Sequence, residues 1–208
     1  NQNDKTLSLT DKKLSETPLI SSGIGGILHI ASSYSSRFDE VILQLPKGRA
    51  LKGINISANR GQTSITNASL ENATLNTNSY ILRIKGSRIK NSKLTTPNIV
   101  NIFDTDLTDS QLESTEHHFR AENIKVYGKV ELSSKNALSI MLTQKESQEI
   151  NLDLSSHHGF IYQLLRDKSQ QKPNELSNPY KTEKTDVKGQ LIAKADDYIS
   201  LETTANRP

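Results

Sequence analysis

The amino-acid sequence predicts an all-β protein, a single domain built as a parallel β-helix or solenoid with rungs of about 18–19 residues. Three observations predict it. Apolar residues recur in fixed columns, turn-forming residues recur between them, and outward charges alternate in sign once the columns are aligned. A period of this size is the mark of a stacked repeat architecture.

The columns come first. Leu51, Leu70, Ile89 and Leu107 are separated by 19, 19 and 18 residues. Ile56, Leu75, Leu94 and Leu112, five residues further on, keep the same steps. Ile65, Ile84 and Ile102 form a third column, stepping 19 and 18. Each copy holds too little apolar surface to fold alone. Stacking buries each Leu or Ile against its counterparts, with strands ~4.8 Å apart. Within a copy, Leu82 and Ile84 alternate as strand residues do, as do Val100 and Ile102. The segments are too short and too β-branched for helices. Asn, Gly and Ser at 59–62, 76–79 and 96–98 supply the turns, because they accept tight or left-handed backbone at low cost.

The charges test the same register. It sets Glu71 beside both Lys52 and Lys90, Arg88 beside Asp106, and Lys85 close to Asp104. Neighbouring strands prefer opposite signs. The basic run Arg83, Lys85, Arg88, Lys90 and Lys93 resembles a nucleic-acid patch when read along the chain. Aligned, it faces the acids of 104–116 and is largely compensated.

Outside the repeat the ends are more irregular. Residues 23–48 hold two strands, and 124–132 and 138–144 alternate like ordinary strands. Residues 150–165 and 187–204 each read as strand, turn, strand. Between them, 166–186 is a polar loop insertion with two prolines. The solenoid domain is therefore expected over 23–204. The polar segment 1–22 is expected to be disordered or to follow a membrane anchor lying outside this chain.

Composition agrees. Hydrophobic residues are 33% of the 208, too few for a thick globular core. Charged residues are 24% with both signs mixed, so charge repulsion does not enforce disorder. The net charge of +3 lacks the clustered footprint of a nucleic-acid binder. There is no cysteine, which excludes disulfides, thiolate metal sites and a cysteine nucleophile. No run approaches the ~18 apolar residues of a membrane span.

One phrase carries a family resemblance. VILQLPKGRALKGINIS (41–57) is followed by ASLENATLNTNSYI and SRIKNSKLTTPNIV, and later by HHGFI and ADDYISLE. This arrangement, over about residues 24–203, resembles the toastrack family of adhesin-like bacterial cell-envelope proteins. Ser79 and Asn98 depart from it, standing where the family usually has Gly, and the 166–186 insertion is unusual. The resemblance implies a right-handed β-helical fold on the outer side of a membrane, often behind an anchor. It implies no catalytic residue.

Few residues are candidates for chemistry. His117–His118 and His157–His158, with Glu116, Glu122 and Asp153 nearby, would make a zinc site only if the two pairs met in space. Adjacent strand residues point to opposite faces, so one pair alone rarely chelates an ion. Asp104, Asp106 and Asp109 are the densest acids, and paired carboxylates hydrolyse glycosides. Such clefts also need sugar-stacking aromatics, and here there is no Trp, with six Tyr and four Phe scattered. GIGG (23–26) lacks the Lys–Ser/Thr of a phosphate loop. Tyr80, Phe103, Phe119 and Tyr127 are expected to pack beside the core columns, and Phe160, Tyr162 and Tyr198 to close the C-terminal end.

The expectation is therefore a non-enzymatic, extracytoplasmic cell-envelope domain, an adhesin or stress scaffold. It needs no catalytic residue, metal or cofactor. It would bind a cell-wall polymer or an envelope or host protein, with no nucleic-acid partner and membrane contact only through an outside anchor. Lys168, Lys172, Lys181 and Lys184 of the polar loop are the expected route to an anionic partner. The alternative is a carbohydrate-active enzyme on the same fold.

Overall fold

A computed structural model describes residues 62–165 and 173–204, together with the backbone of strands Leu7–Ser8, Leu19–Ser22, Ile27–Ala31, Glu40–Leu43 and Leu51–Ser57. The described strands form two sheets, one of ten strands and one of twelve. Each coil of the repeat gives one strand to the first sheet and two short strands to the second. Ile81–Lys85, Arg88–Lys90 and Lys93–Thr96 make one coil; Ile99–Phe103, Asp106–Thr108 and Gln111–Ser114 make the next. Equivalent strands pair in parallel, so the architecture is the β-solenoid that the repeat predicts.

The register follows the columns. Leu70 pairs with Ile89 and Ile89 with Leu107; Leu75 pairs with Leu94 and Leu94 with Leu112; Ile65 pairs with Ile84 and Ile84 with Ile102. All of these lie in one buried core. One assignment is corrected. Ile54, not Ile56, lies opposite Leu75, and Ile56 lies opposite Thr77. The register shifts between Leu51 and Gly53, where the shorter coil lacks the extra corner residues of its neighbour. Phe119 also belongs to the repeat. It pairs with Val100 and is buried, extending a fourth column that runs through Leu82.

In the four coils that turn between Asn67 and Gly128, two turns of each are single residues. Asn67, Gly86, Asp104 and Asn123 have φ of 52, 59, 49 and 51°, and Asn72, Asn91, Asp109 and Gly128 have φ of 52, 47, 45 and 61°. Asn, Asp and Gly are the residues that enter this left-handed region most easily. The corner N–H groups of Asn67, Gly86, Asp104 and Asn123 donate to the carbonyls of Lys85, Phe103, Glu122 and Met141 in the next coil, so the ladder runs unbroken around the bend. A small buried residue often follows. Ser87, Ser92, Thr105 and Ser110 each donate a hydroxyl to the carbonyl two residues back, at 3.0, 2.7, 2.8 and 2.6 Å. Ser92 and Ser110 also accept the backbone N–H of Ala73 and Ser92 in the preceding coil. The buried hydroxyls of these four corner residues are thus satisfied, as burial demands.

The last coils are not stacked in chain order. Gly189–Ala195 lies between Lys125–Ser134 and Ile150–Ser156, and Ile199–Thr204 lies between Leu138–Thr143 and Ile161–Leu165. The chain therefore skips one place, builds the outer coil, and fills the gap afterwards. The short helix Gln144–Gln148, capped by Thr143 and Glu146, carries the skip. Part of the expected loop is also ordered structure. Asn174–Leu176 and Tyr180–Lys181 pair antiparallel with the outer coil and cap it, while residues 166–172 lie outside the described residues. Leu7–Ser8 and Leu19–Ser22 pair antiparallel at the opposite end of the two sheets.

Three outcomes test this account. Leu94→Ala, at a site 1% exposed between two Leu neighbours, should cost about 2–5 kcal/mol in denaturant unfolding, since a stacked coil cannot collapse around the void. Gly128→Ala should cost about 1–3 kcal/mol, because φ is +61° and the new Cβ would stand 2.1 Å from Asp109 Oδ1. An unchanged midpoint in either variant would refute the corresponding packing. The third outcome concerns acid. Hydrogen bonds from Lys129 and Lys188 hold the carboxyls of Glu131 and Glu149 below their ordinary value of 4.5. Depressed carboxylates contribute stability that is present above pH 4.5 and lost as pH falls through the folded-state values. Between pH 6 and 3, on the order of the carboxylate range, Tm of the parent should fall more steeply than that of Glu131→Gln/Glu149→Gln. Parallel curves would assign the acid sensitivity elsewhere.

Candidate functional site

The residues singled out for chemistry are spread over the molecule. His117–His118 follow the strand Gln111–Ser114, and His157–His158 follow Ile150–Ser156. Three strand steps separate the two strands in the sheet, by way of Lys125–Ser134 and Gly189–Ala195. At ~4.8 Å per step the pairs stand roughly 14 Å apart. Among the described residues no group of three His, Asp or Glu is placed to hold a metal ion.

The acids of 104–109 are divided between structural tasks. Asp104 turns one corner and accepts from Asn123 Nδ2 at 3.1 Å. Asp109 turns the next corner and accepts the backbone N–H of Lys129 at 2.9 Å. Asp106 lies between them and faces Arg88 at 3.7 Å. They do not converge on one cleft. Lys85 pairs in register with Phe103, the residue before Asp104. Lys90 does meet Glu71, at 2.9 Å, while the side chain of Lys52 lies outside the described residues.

The loop lysines are likewise engaged. Lys181 pairs with Asp153 at 3.1 Å. Lys184 Nζ donates to the carbonyls of Ser147 and Ile150, at 2.6 and 3.1 Å, and burial lowers its pKa. Its backbone N–H and carbonyl bind the Asn151 amide in return. Both residues fasten the cap to the coil beneath it. Lys168 and Lys172 lie outside the described residues.

What remains is the difference between the two outer surfaces. The twelve-stranded sheet presents charges that pair among themselves: Glu71 with Lys90, Arg88 with Asp106, Lys129 with Glu131. The ten-stranded sheet presents Ile81, Ile99, Phe103 and Tyr162, all half-buried, along with Phe160 and Tyr198 at 52% and 46% exposed. Phe160 and Tyr198 are neighbours in the ladder, where Ile199 N–H donates to the Phe160 carbonyl and Leu138 N–H to that of Tyr198. The rings of Phe160 and Tyr162 lie 5.8 Å apart. These three do not close the core end as the sequence suggests; they form an aromatic shelf on the outside. Tyr80, 58% exposed, stands apart just before Ile81–Lys85, four strand steps from Ile199–Thr204 in the same sheet. Among the other described aromatics, Phe119 is buried in the core and Tyr180 packs against it, while Phe103 takes the guanidinium of Arg83 on its outward ring at 5.3 Å.

Two shallow grooves cross the twelve-stranded sheet. One, about 540 Å³, follows the corner column past Asn72, Asn91, Asp109, Lys93 and Gln111. The other, about 570 Å³, runs past Glu113, Lys135, His157, Lys194 and Asp196. Both are lined mostly by polar residue types and mix the two signs of charge. No helix among the described residues is long and apolar enough to cross a membrane.

The shelf and the corner columns were both present in the sequence as signals. The dipeptides Asn91–Ser92, Asp104–Thr105 and Asp109–Ser110 mark the corners, and the aromatics stand one residue before or just inside a strand. Comparison with known proteins adds the lineage. No curated protein and no solved structure matches the chain. The family model described as Toastrack DUF4097 matches residues 1–202, nearly the whole length, and its β-helical fold is the one described above, so this chain belongs to the Toastrack family.

Proposed function

We propose that this domain is a non-enzymatic, extracytoplasmic binding module of the cell envelope, and that it holds a saccharide polymer of the wall against the outer face of its ten-stranded sheet. The observation that carries the reading is the shelf of Phe160, Tyr162 and Tyr198. Large aromatic side chains are normally buried, and a cluster left in water on a flat sheet marks a contact surface. Aromatic faces pack against the C–H faces of sugar rings, and Ser139 and Ser200, outward on neighbouring strands, add hydroxyls beside them. The surface has no excess of either charge that would select a nucleic acid. Placement outside the membrane follows what the toastrack resemblance implies, with any membrane contact made through an anchor outside this chain.

The division of Asp104, Asp106 and Asp109 among structural contacts supports binding over hydrolysis, because no pair is left facing an aromatic-lined cleft. Co-sedimentation with purified, insoluble cell-wall polysaccharide tests the reading. Phe160→Ala/Tyr198→Ala should weaken binding at least ~10-fold while Tm stays close to the parent value, and Tyr80→Ala should bind as the parent does. Equal binding by the shelf variant would remove the shelf from the function. Release of soluble sugar by the parent would replace the binding reading with an enzymatic one.

A further inference from the structure

The register of the ten-stranded sheet fixes which outward side chains stand side by side. One row runs along the stack through Ile81, Ile99, His118, Ala137, Tyr198 and Phe160. The N–H groups of Val100, Phe119, Leu138 and Ile199 donate to the carbonyls of His118, Ala137, Tyr198 and Phe160, carrying this row from coil to coil. The row is mostly apolar. Ile81 and Ile99 are half-buried, and Tyr198 and Phe160 are exposed. Two residues further along each strand a second row follows: Arg83, Asn101, Arg120, Ser139, Ser200 and Tyr162. Every member of it can hydrogen-bond. An apolar track beside a polar one, both parallel to the stacking axis, suits a long ligand whose flat faces are apolar and whose edges are polar, as sugar rings are.

Charge on this face is uneven. Arg120 is paired with Glu122 of its own strand. Arg83 and Lys85, both exposed on Ile81–Lys85, make no ion pair among the described residues. The next strand of the same coil differs, for there Arg88 faces Asp106 and Lys90 faces Glu71. Arg83 is held in place all the same, by the Phe103 ring of the next coil at 5.3 Å. A guanidinium held against a ring still has N–H donors to offer an oxyanion, and its fork matches the two oxygens of a carboxylate. Arg83 and Lys85 lie four strand steps from the strand that follows Tyr198, ~19 Å along the same face. Several sugar units span that distance.

We propose that the polysaccharide held on this face is acidic and lies along the stacking axis, with ring faces on the aromatic shelf and on Ile81 and Ile99, and a ring carboxylate on Arg83 and Lys85. The inference rests on the saccharide reading above and adds the chemical class and the direction of the chain. Charge complementarity selects the anion, because these two cations have no carboxylate of their own. Ring geometry selects the kind of anion. A carboxylate on a sugar ring projects from its edge, so a ring lying on Ile81 or Ile99 presents that group to the polar row beside it. A phosphodiester sits within the chain, between sugars, and would fall on the apolar row instead. Two cations at one end of the face fall far short of a nucleic-acid footprint.

The wall polysaccharide, freed of peptide, supplies three probes for co-sedimentation: untreated, carboxyl-reduced to neutral sugar by carbodiimide and borohydride, and stripped of phosphodiesters by hydrofluoric acid. The parent should bind the untreated and phosphate-stripped material alike, and the carboxyl-reduced material at least ~10-fold more weakly. Arg83→Gln/Lys85→Gln, at the parent's Tm, should bind all three at that weaker level. Added salt should weaken the parent and leave this variant nearly unchanged. Lys93→Gln/Lys125→Gln removes the same charge from the twelve-stranded sheet and should bind as the parent does. Phe160→Ala/Tyr198→Ala should weaken binding to every preparation, the reduced one included. Equal binding of the parent to untreated and reduced material, with the shelf variant still weakened, overturns the acidic class and leaves the saccharide reading standing. No binding of the parent to any preparation overturns both. Loss of binding on the phosphate-stripped material overturns the carboxylate in favour of a phosphodiester. A Lys93/Lys125 variant as weak as the Arg83/Lys85 variant overturns the site, because net charge would then be the cause.

Discussion

The structure depends on one constraint: every coil must turn its corners while keeping its backbone hydrogen bonds to the coils on either side. A parallel stack leaves no slack for this. A corner that reached outward would strip N–H and C=O groups from the ladder, and burial makes such losses expensive. The chain answers with single residues in the left-handed region, Asn67, Gly86, Asp104 and Asn123 in one column and Asn72, Asn91, Asp109 and Gly128 in the other. The bend is sharp enough that the next N–H still meets its carbonyl. The buried hydroxyls of Ser87, Ser92, Thr105 and Ser110 fill the inside of the bend and satisfy the backbone there.

This explains why a chain with few large apolar residues has a continuous core. Each corner consumes small polar side chains that would otherwise count as surface. The core itself needs only one or two aliphatic residues per short strand, because each is covered by its equivalents above and below. The same economy explains the acids. Asp104 and Asp109 are corner residues with the geometry of Asn, and their carboxylates are bound by Asn123 and by the Lys129 backbone. A cluster that reads along the chain as a reactive group is divided between two corners and an ion pair.

The outer surfaces then diverge. On the twelve-stranded sheet Glu71 with Lys90 and Arg88 with Asp106 pair along the stacking direction, Lys129 with Glu131 within one strand, and such exposed pairs contribute little to stability. The ten-stranded sheet sets apolar and aromatic side chains among its charges, the paired Arg120 and Glu122 included, and Phe160, Tyr162 and Tyr198 lie together on the last coils. The last coils are also where chain order and spatial order part. The inner one is made last, after the outer coil and the antiparallel strands that close it. Contact surface and closing strands thus lie together on the last coils, which the chain reaches through the helix Gln144–Gln148.

By itself the sequence determined the period, the fold class and most of the register, because stacked coils repeat the same inward positions and the Leu and Ile columns record them one residue at a time. It also determined the Lys90–Glu71 and Arg88–Asp106 neighbours, which follow from that register. Whether Phe160, Tyr162 and Tyr198 would close the core or face water was decided only by the tertiary structure, since it turns on which parity of each strand points inward at the last coils. The tertiary structure also decided that Ile54 and not Ile56 faces Leu75, since a bulge changes register without changing composition. The order of the last coils was illegible for a related reason. Strand segments 150–156 and 189–195 have the same alternation, and either could stack on Lys125–Ser134. The choice is made by the helix Gln144–Gln148, which carries the chain past one place in the stack, and by the Gly128–Gly189 contact, which only the later segment can make.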